Sequence, residues 1–384
     1  MRHSAPLDLI WILALAGACK PGATVPDGAA STTSIPALGV YQVKVDGTAL
    51  RLLADTGTRQ ITHLRKQPGE AWMTGTRYQN DLDHNGYAME VEGDAASYAA
   101  TEIIVFALDD VAHATVIAGG VPDKLCANAS WTVDGRLIFV QQDDPRDANW
   151  TRIKRARFST VPSVSGIDAV ELPATLLVPT DAHQVGPSDA TGQIVFASFF
   201  HAASGWSHPA WRIPAAGTVV ESSAALVGCP MCGDTCCAFA QIDQVLGVTD
   251  PRFNHAGTEV SFMQQSPGVS FGTPAQHPFR QQRRLLASAT QTDLTGAEIA
   301  PETSLTFVDW RADDLEGVYW SIEAVGGVVR NALYTMSPDG TNRTRIALPD
   351  DLCPTHPSYV DDDTIVFSAW RCGGTSCSCD VGKI

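Results

Sequence analysis

The sequence predicts an all-β fold, on the strength of three observations. Short segments that contain an aromatic residue recur along the 384-residue chain. Most are followed by a polar turn, often Asp-Gly, which is typical of a β-hairpin because Gly accepts positive φ and Asp caps the turn. Helical periodicity is nearly absent, and only Arg280 to Thr290 looks helical. An α/β enzyme fold, which needs regularly alternating helices, is therefore not expected.

A first hairpin motif places an aromatic residue on a strand ahead of a tight turn. Residues 41–48 (YQVKVDGT) and 334–341 (YTMSPDGT) share the motif although they lie near opposite ends of the chain. Residues 211–218 (WRIPAAGT) keep the spacing and lose only the Asp. A similar motif at such distant positions indicates a repeat rather than a single hairpin.

A second motif joins an aromatic strand, a polar turn and an apolar strand. Its clearest copy is 130–139 (SWTVDGRLIF), and further copies are 252–262 (RFNHAGTEVSF) and 358–367 (SYVDDDTIVF). Residues 308–320 form a stretched fourth copy. Residues at equivalent repeat positions normally pack one repeat against the next. We therefore expect the aromatic strand residues to be core residues: Trp72, Trp131, Trp211, Phe253, Trp310 and Tyr359.

Together the two motifs resemble the PD40 or WD40-like repeats of TolB-like β-propellers, in which the two hairpins form one four-stranded blade. The resemblance spans about residues 38–372 and is most specific at 330–368. It implies a β-propeller of about six blades around a central channel, closed by strands from both ends of the chain. A generic β-sandwich with Asp-Gly hairpins is the alternative, although a sandwich needs no fixed repeat.

The amino terminus predicts export. Leu7 to Leu15 is apolar apart from Asp8, and small residues then lead directly into Cys19. This arrangement resembles a bacterial lipoprotein site, although the Leu lies one position further from the cysteine than usual. Ordinary signal cleavage is the alternative. We expect a signal peptide over 1–18, a flexible tether over 19–37 and the propeller, with Cys-rich loops and a C-terminal tail, over 38–384.

These features predict a lipoprotein of the periplasm or of the outer-membrane or cell surface, touching the membrane only through its N-terminal lipid. The net charge of −16 repels phosphate backbones, so nucleic acid is not expected as a partner. An envelope protein or a small ligand is the expected partner.

Nine of the ten cysteines remain after Cys19 is set aside. Disulfides are the preferred interpretation because an exported chain meets an oxidising compartment. Two clusters in loop-like sequence could instead hold zinc or copper through thiolates. The residues near the end of the chain would pin the C-terminal tail to the last blade. The disulfide candidates are Cys126, Cys229, Cys232, Cys236, Cys237, Cys353, Cys372, Cys377 and Cys379.

Residues 81–92 match the calcium-loop pattern D-x-[DN]-x-[DN]-G-x5-E. Calcium is thus the one cofactor that the sequence suggests, with a solvated turn between blades as the alternative. The flanking residues do not form the helices that usually accompany such a loop. The ligands would come from Asp81, Asp83, Asn85, Tyr87 and Glu92.

No catalytic residue is assigned. Gly268 to Gly272 matches the G-x-S-x-G nucleophile pattern, but Pro274 and Pro278 interrupt the helix that must follow it. His201 and His208 keep a hydrolase or lyase open as one alternative. A metal-binding lipoprotein is the other. The preferred hypothesis is a non-enzymatic binding or scaffold module, more consistent with the sequence than an enzyme.

A mass measurement tests the lipid anchor. We expect the mature chain to begin at Cys19 and to carry a diacylglycerol, because small residues precede that cysteine. The measurement is the intact mass of protein extracted from membranes, with Cys19→Ser as the control that loses the lipid. An unmodified cysteine, or a wild-type chain that fractionates with the soluble proteins, would contradict the prediction.

Overall fold

The fold is described from a computed structural model. The described residues are 38–81, 87–89, 100–119, 126–142, 151–170, 181–185, 192–202, 205–207, 210–214, 225–227, 248–265, 279–288, 290–295, 304–325, 328–371 and 379. The predicted signal peptide and tether lie outside them. Within this part of the chain, no helix is long and apolar enough to cross a membrane. One short 3-10 turn, Val111–His113, accompanies the strands.

The described residues form twenty-five strands in six antiparallel sheets, here numbered I to VI. Sheet I contains β3 (Ile61–Lys66), β4 (Trp72–Tyr78), β5 (Thr101–Ala107) and β6 (Thr115–Gly119). Sheet II contains β7 (Cys126–Trp131), β8 (Leu137–Gln142), β9 (Thr151–Thr160) and β10 (Ser163–Ala169). Sheet III contains β11 (Asp181–Val185), β12 (Gln193–Ala202), β13 (Gly205–Ser207), β14 (Ala210–Pro214) and β15 (Ala225–Val227).

The remaining sheets use the carboxyl-terminal half of the chain and its first two strands. Sheet IV contains β16 (Val248–Phe253), β17 (Glu259–Gln265), β18 (Phe279–Leu285) and β19 (Gln291–Asp293). Sheet V contains β20 (Ser304–Trp310), β21 (Gly317–Val325), β22 (Val328–Met336) and β23 (Thr344–Arg345). Sheet VI contains β2 (Arg51–Gly57), β1 (Leu38–Lys44), β25 (Thr364–Arg371) and β24 (Leu352–Tyr359), in that order.

One terminal strand of each sheet lies innermost, and the inner strands contact one another in a closed ring. Around the ring the order is β3, β7, β11, β16, β20 and β24, and β24 returns to β3. Sheets arranged radially around a channel define a β-propeller. The all-β propeller that the repeats predicted is therefore confirmed.

The expected number of blades is corrected. Five of the sheets are regular four-stranded blades, one fewer than expected, whereas sheet III is irregular. Its second strand, β12, is 10 residues long and pairs with the additional strand β13 before the chain reaches β14. The extra hairpin interrupts the four-strand meander that a regular blade requires.

The two hairpin motifs occupy different places in a sheet. The second motif joins the inner strand to its neighbour, as in β7–β8 and β24–β25. The first joins the two outer strands, as in β1–β2 and β22–β23. The predicted turns are present: Gly47 and Gly340 both have φ of +83°. At the first of these turns, Asp46 Oδ1 accepts a hydrogen bond from Thr48 N at 2.8 Å.

Sheet VI closes the ring with strands from both ends of the described chain. β1 pairs with β25 along its whole length, from Leu38 opposite Trp370 to Lys44 opposite Thr364. Without this pairing β1 and β2 would be separated from the C-terminal hairpin. The closure by both ends, which the resemblance implied, is thus present.

The hydrophobic core lies between neighbouring sheets, because strands such as β24 and β25 bury both faces. In β25, Ile365 and Phe367 pack into the cluster shared with sheet V, while Val366 packs into the cluster shared with sheet I. Alternate side chains of a strand point to opposite faces, so a continuous apolar run serves both neighbours. Full burial of a Phe side chain contributes about 2–3 kcal/mol.

The segment that looked helical is a strand. Phe279–Leu285 forms β18, which pairs with β17 on one side and β19 on the other. Gln281, Gln282 and Arg284 are buried there despite being polar. Pairing with two neighbouring strands has overridden the local preference of the sequence, as tertiary context often does.

One predicted disulfide is present. Cys353, at the start of β24, is bonded to Cys379 near the chain end, with 5.6 Å between their Cα atoms. Both cysteines pack with Leu38 and Trp370, so the tail is held against sheet VI as expected. Cys126 is buried in β7. The other disulfide candidates lie outside the described residues.

Loss of this disulfide should lower stability. The bond closes a loop with a sequence separation of 26 residues, and cross-links of that size contribute about 3 kcal/mol by constraining the unfolded chain. We expect Cys379→Ala to lower the free energy of unfolding by about that amount. The measurement is urea denaturation under non-reducing conditions.

The control is the double variant Cys353→Ala/Cys379→Ala. Its free energy of unfolding should be close to that of Cys379→Ala, because both variants remove the same bond. Identical urea midpoints for Cys379→Ala and the wild type would contradict the prediction.

Candidate functional site

Five inner strands carry the same irregularity at the same place. In each, the pairing with the second strand shifts register across two skipped residues. The shifts fall between Thr62 and Arg65, Ala127 and Ser130, Thr249 and Arg252, Thr306 and Asp309, and Thr355 and Ser358. A bulge of this kind redirects the side chains that follow it, and bulges are common beside functional sites.

The first skipped residue is left-handed in three of these strands. His63, Asn128 and His356 have φ of +51°, +57° and +49°. Such a conformation is uncommon for residues other than glycine and costs about 1–3 kcal/mol each. The surrounding sheets impose it, so the bulges are a built feature of the ring rather than loose ends.

The residues after the bulges surround a cavity of about 240 Å³ at the mouth of the channel, here called the mouth cavity. Every one of the five strands contributes two successive residues to its lining. The first of each pair is Arg65, Ser130, Arg252, Asp309 or Ser358, and the second is Lys66, Trp131, Phe253, Trp310 or Tyr359. The mouth cavity therefore combines an inner polar ring with four aromatic side chains.

Asp309 joins three inner strands. Its Oδ2 accepts hydrogen bonds from Ser358 Oγ and from Tyr359 N, each at 2.9 Å. Its Oδ1 lies 3.9 Å from Arg65 Nε. This one carboxylate, contributed by β20, thereby bonds to β24 and forms an ion pair with β3. It fixes the position of the Arg65 guanidinium inside the mouth cavity.

Three buried polar atoms, all on residues that line the mouth cavity, have no hydrogen-bond partner within the part of the chain that the structure describes. They are Arg65 Nε, Trp131 Nε1 and Gln67 Oε1. The residues are only 5%, 3% and 8% exposed. Buried polar atoms are nearly always bonded, and leaving one unsatisfied costs about 1–3 kcal/mol. Two donors and one acceptor of the lining residues therefore lack a hydrogen bond within the described part of the chain.

Other polar groups of the mouth cavity are already engaged by the protein. Lys66 Nζ donates to Val360 O. His255 Nε2 lies 2.9 Å from Trp310 O and is the donor in this hydrogen bond, because a carbonyl oxygen only accepts. Asp361 Oδ1 accepts from Asp363 N at 3.1 Å. Each of these side chains thus has at least one polar atom bonded within the protein.

Two histidines lie further along the channel. His63 and His356 are two residues before Arg65 and Ser358 on the same strands, and their ring centroids are 4.5 Å apart. Both are almost completely buried. Burial, then His356, then Arg65 hold the pKa of His63 well below its usual 6.5. The His63 imidazole is therefore neutral in the folded protein near neutral pH.

The proposed calcium loop is only partly described. Asp81 and Tyr87 lie within the described residues, whereas Asp83, Asn85 and Glu92 do not. Tyr87 is buried against Met89 and Leu38, and burial raises the pKa of its phenol. Among the described residues no group of three or more His, Cys, Asp or Glu side chains is placed to hold a metal ion. The calcium interpretation stays a prediction.

The aromatic strand residues are both core and cavity wall. Trp131, Phe253, Trp310 and Tyr359 are buried, as expected from their repeat position, and they also line the mouth cavity. Trp72 is half-buried, and the side chain of Trp211 is outside the described set.

The polar ring, by contrast, was missed. Part of its signal was in the sequence: aligning four inner strands on the aromatic column places Ser130, Arg252, Asp309 and Ser358 in the preceding column, whereas β3 has Lys66 in place of the aromatic residue after Arg65. Only the structure reveals that this column surrounds one cavity.

The fold and this central cavity define the chain as a β-propeller with a candidate ligand site at the mouth of its channel. No family model matches the chain, and no curated protein matches it. Solved structures with 9–11% identity are similar in fold.

Three of these structures illustrate the similarity. A prolyl endopeptidase is 11% identical, with a TM-score of 0.46, and the alignment covers 88% of this chain and 47% of that one. A puromycin-hydrolyzing peptidase of Mycobacterium tuberculosis is 11% identical, with a TM-score of 0.41 and coverage of 75% and 38%. The β-propeller domain of the Trilobed protease from Pyrococcus furiosus is 10% identical, with a TM-score of 0.43 and coverage of 82% and 79%.

This chain spans less than half the length of the first two proteins. Scores of this size carry no argument about activity.

Stability should fall in mild acid because of His63. The unfolded chain binds a proton on this residue near pH 6.5, whereas the folded chain binds it only at a lower pH. The stabilising contribution is therefore present above pH 6.5 and is lost as the pH falls below it. We expect His63→Asn to reduce the slope of the free energy of unfolding against pH by up to about 1.4 kcal/mol per pH unit. Asn is the chosen replacement because it tolerates the left-handed backbone at this position.

The measurement is the free energy of urea unfolding at several pH values. His113→Asn is the matched control, since it makes the same substitution at a side chain that is 83% exposed. Equal acid slopes in the wild type and in His63→Asn would show that the prediction is wrong.

Proposed function

We propose that this chain is a non-catalytic binding propeller whose mouth cavity holds a ligand. One observation carries the proposal: Arg65, Trp131 and Gln67 line the same cavity, and their Nε, Nε1 and Oε1 atoms have no hydrogen-bond partner among the described residues. Concave sites with apolar walls and a few convergent polar groups are where ligands usually bind. A bound molecule would relieve the cost of leaving these three atoms buried and unbonded.

Binding is favoured over a hydrolase or lyase by the state of the titratable groups in the mouth cavity. A general base needs a free lone pair within reach of the substrate. Asp309 Oδ2 already accepts hydrogen bonds from Ser358 Oγ and Tyr359 N. Ser358 Oγ itself donates to a carboxylate rather than to an imidazole, so it lacks the base that activates a serine nucleophile.

The proposal extends to the place of the protein in the cell. We propose an exported lipoprotein of the envelope with a TolB-like propeller, supported by the segment ending at Cys19 and by the repeat motifs at 330–368. The mature Cys19 would anchor the chain, and the tether over 19–37 would let the mouth cavity meet a partner or ligand away from the membrane. Metal binding remains the alternative for residues 81–92.

A cavity-blocking substitution tests the binding function. Ala312 lines the mouth cavity at an exposed position, so a large side chain there should obstruct entry without disturbing the core. We expect at least one member of a mixed set of neutral, cationic and anionic aromatic fragments to bind the wild type in ligand-observed NMR. Ala312→Trp should weaken that binding at least about tenfold, since it removes most of the buried contact.

The matched control is Ala287→Trp, which adds the same side chain to an exposed turn between β18 and β19. It should leave binding unchanged. The proposal fails if no fragment binds the wild type, or if both tryptophan variants weaken binding equally.

A further inference from the structure

The size of the mouth cavity limits what it can hold. Its volume of about 240 Å³ lies below the range of roughly 300–1,000 Å³ that is usual for drug-sized ligands. A single amino-acid unit or a molecule of that size fits this volume, whereas a folded domain or an oligosaccharide chain does not. The ligand, or the part of it that enters, is therefore small.

The charges of the lining favour one negative charge. The formal charges are Arg65, Lys66 and Arg252 on the positive side, and Asp309 and Asp361 on the negative side. The lining thus carries one excess positive charge, which a monoanion would neutralise. The whole chain carries −16, so a polyanion would be repelled before it reached the mouth. A singly charged group is repelled less by the negative net charge of the chain. Salt further screens charges that lie more than about 8 Å away.

The unbonded donors specify the type of anion. Arg65 Nε and Trp131 Nε1 are both N–H donors, and a guanidinium pairs well with the oxygens of a planar carboxylate. Trp310 differs from Trp131, because its Nε1 already donates to Ser261 Oγ at 3.2 Å. Only the Trp131 indole, of these two, is available to a ligand.

The remaining atom and the aromatic walls specify the rest of the molecule. Gln67 Oε1 needs a donor, which an amide N–H supplies. Trp131, Phe253, Trp310 and Tyr359 offer apolar faces for a hydrocarbon or aromatic side chain. A carboxylate, an amide N–H and an apolar side chain occur together in an acylated α-amino acid and in the last residue of a peptide.

We propose that the mouth cavity binds the carboxylate end of an N-acylated, apolar α-amino acid, either as a free molecule or as the C-terminal residue of a peptide. This inference rests on the proposed binding function and names the ligand class of the same site. In it, Arg65 and Trp131 hold the carboxylate, Gln67 accepts the amide N–H, and the aromatic walls bury the side chain. No bond is made or broken.

Calorimetric titration with matched acids and amides tests the inference. The first probes are N-acetyl-L-phenylalanine and N-acetyl-L-phenylalaninamide, which differ only in the charge of the carboxyl end. We expect the acid to bind at least about tenfold more tightly, because hydrogen bonds to a charged group are the stronger ones. Equal affinity of acid and amide, or preference for the amide, would overturn the carboxylate assignment.

Two conservative variants locate the recognition. Arg65→Lys keeps the positive charge but removes the planar fork, and Trp131→Phe keeps the ring but removes the N–H donor. Each should lower the affinity for the acid towards that of the amide while the amide affinity changes little. Equal losses for acid and amide in both variants would show that these residues only shape the cavity. If Arg65→Lys does not fold, Trp131→Phe and the wild-type comparison decide the question.

A second pair of probes distinguishes the source of the carboxylate. A hexapeptide ending in phenylalanine is titrated with a free and with an amidated C-terminus. Tighter binding of the free peptide than of N-acetyl-L-phenylalanine supports a peptide end, while binding of the small acid alone supports a free acylated amino acid. Either result supports the shared chemistry.

The outcomes also separate this inference from the proposed function. If other aromatic fragments bind at the Ala312 mouth but the acids show no advantage, the binding function stands and the carboxylate assignment is wrong. If neither acids nor fragments bind, both are wrong.

Discussion

The antiparallel pairing of β1 with β25 is the interaction on which the rest of the structure depends. It joins residues near the two ends of the described chain, Leu38–Lys44 and Thr364–Arg371, into one sheet. Because each sheet of the ring buries both faces against its neighbours, an open ring would expose two apolar sheet faces to water. The Cys353–Cys379 disulfide adds a covalent link at the same sheet. Closure at sheet VI therefore protects the cores on both of its sides.

Closure of the ring also creates the site. Arg65 belongs to sheet I, Asp309 to sheet V and Ser358 to sheet VI, and they meet only because β24 lies between β20 and β3. The Asp309 carboxylate, whose side chain is 14% exposed, bonds to one inner strand and forms an ion pair with another. Removing Asp309 would leave the buried Arg65 charge without this ion pair, which is destabilising. The polar centre is thus a constraint on how the sheets fit together as well as a recognition surface.

The bulges explain how a channel lined by strands of apolar character acquires polar walls. A regular strand would alternate its side chains, and the register shift after Thr62 or Thr355 redirects those that follow. Left-handed residues at His63 and His356 carry the local strain, which the paired strands around them impose. Strain of this kind persists where the surrounding structure over-determines it, and here it accompanies both the buried histidine pair and the mouth cavity.

The sequence by itself determined the kind of local structure and its repetition. Asp46-Gly47 and Asp339-Gly340 dictate tight turns through short-range backbone preferences, so the hairpins and the propeller could be predicted from them. The irregular sheet III and the strand at Arg280 could not, because an added hairpin and two-sided strand pairing depend on neighbours distant in the chain.

The candidate site likewise has one part that the sequence predicts and one part that only the tertiary structure decides. The aromatic column was visible in the sequence because large apolar residues recur at a fixed place in each hairpin. That the preceding column converges on one cavity was decided only by closure of the ring, since Arg65 and Asp309 are brought to 3.9 Å by sheets whose order no local preference encodes.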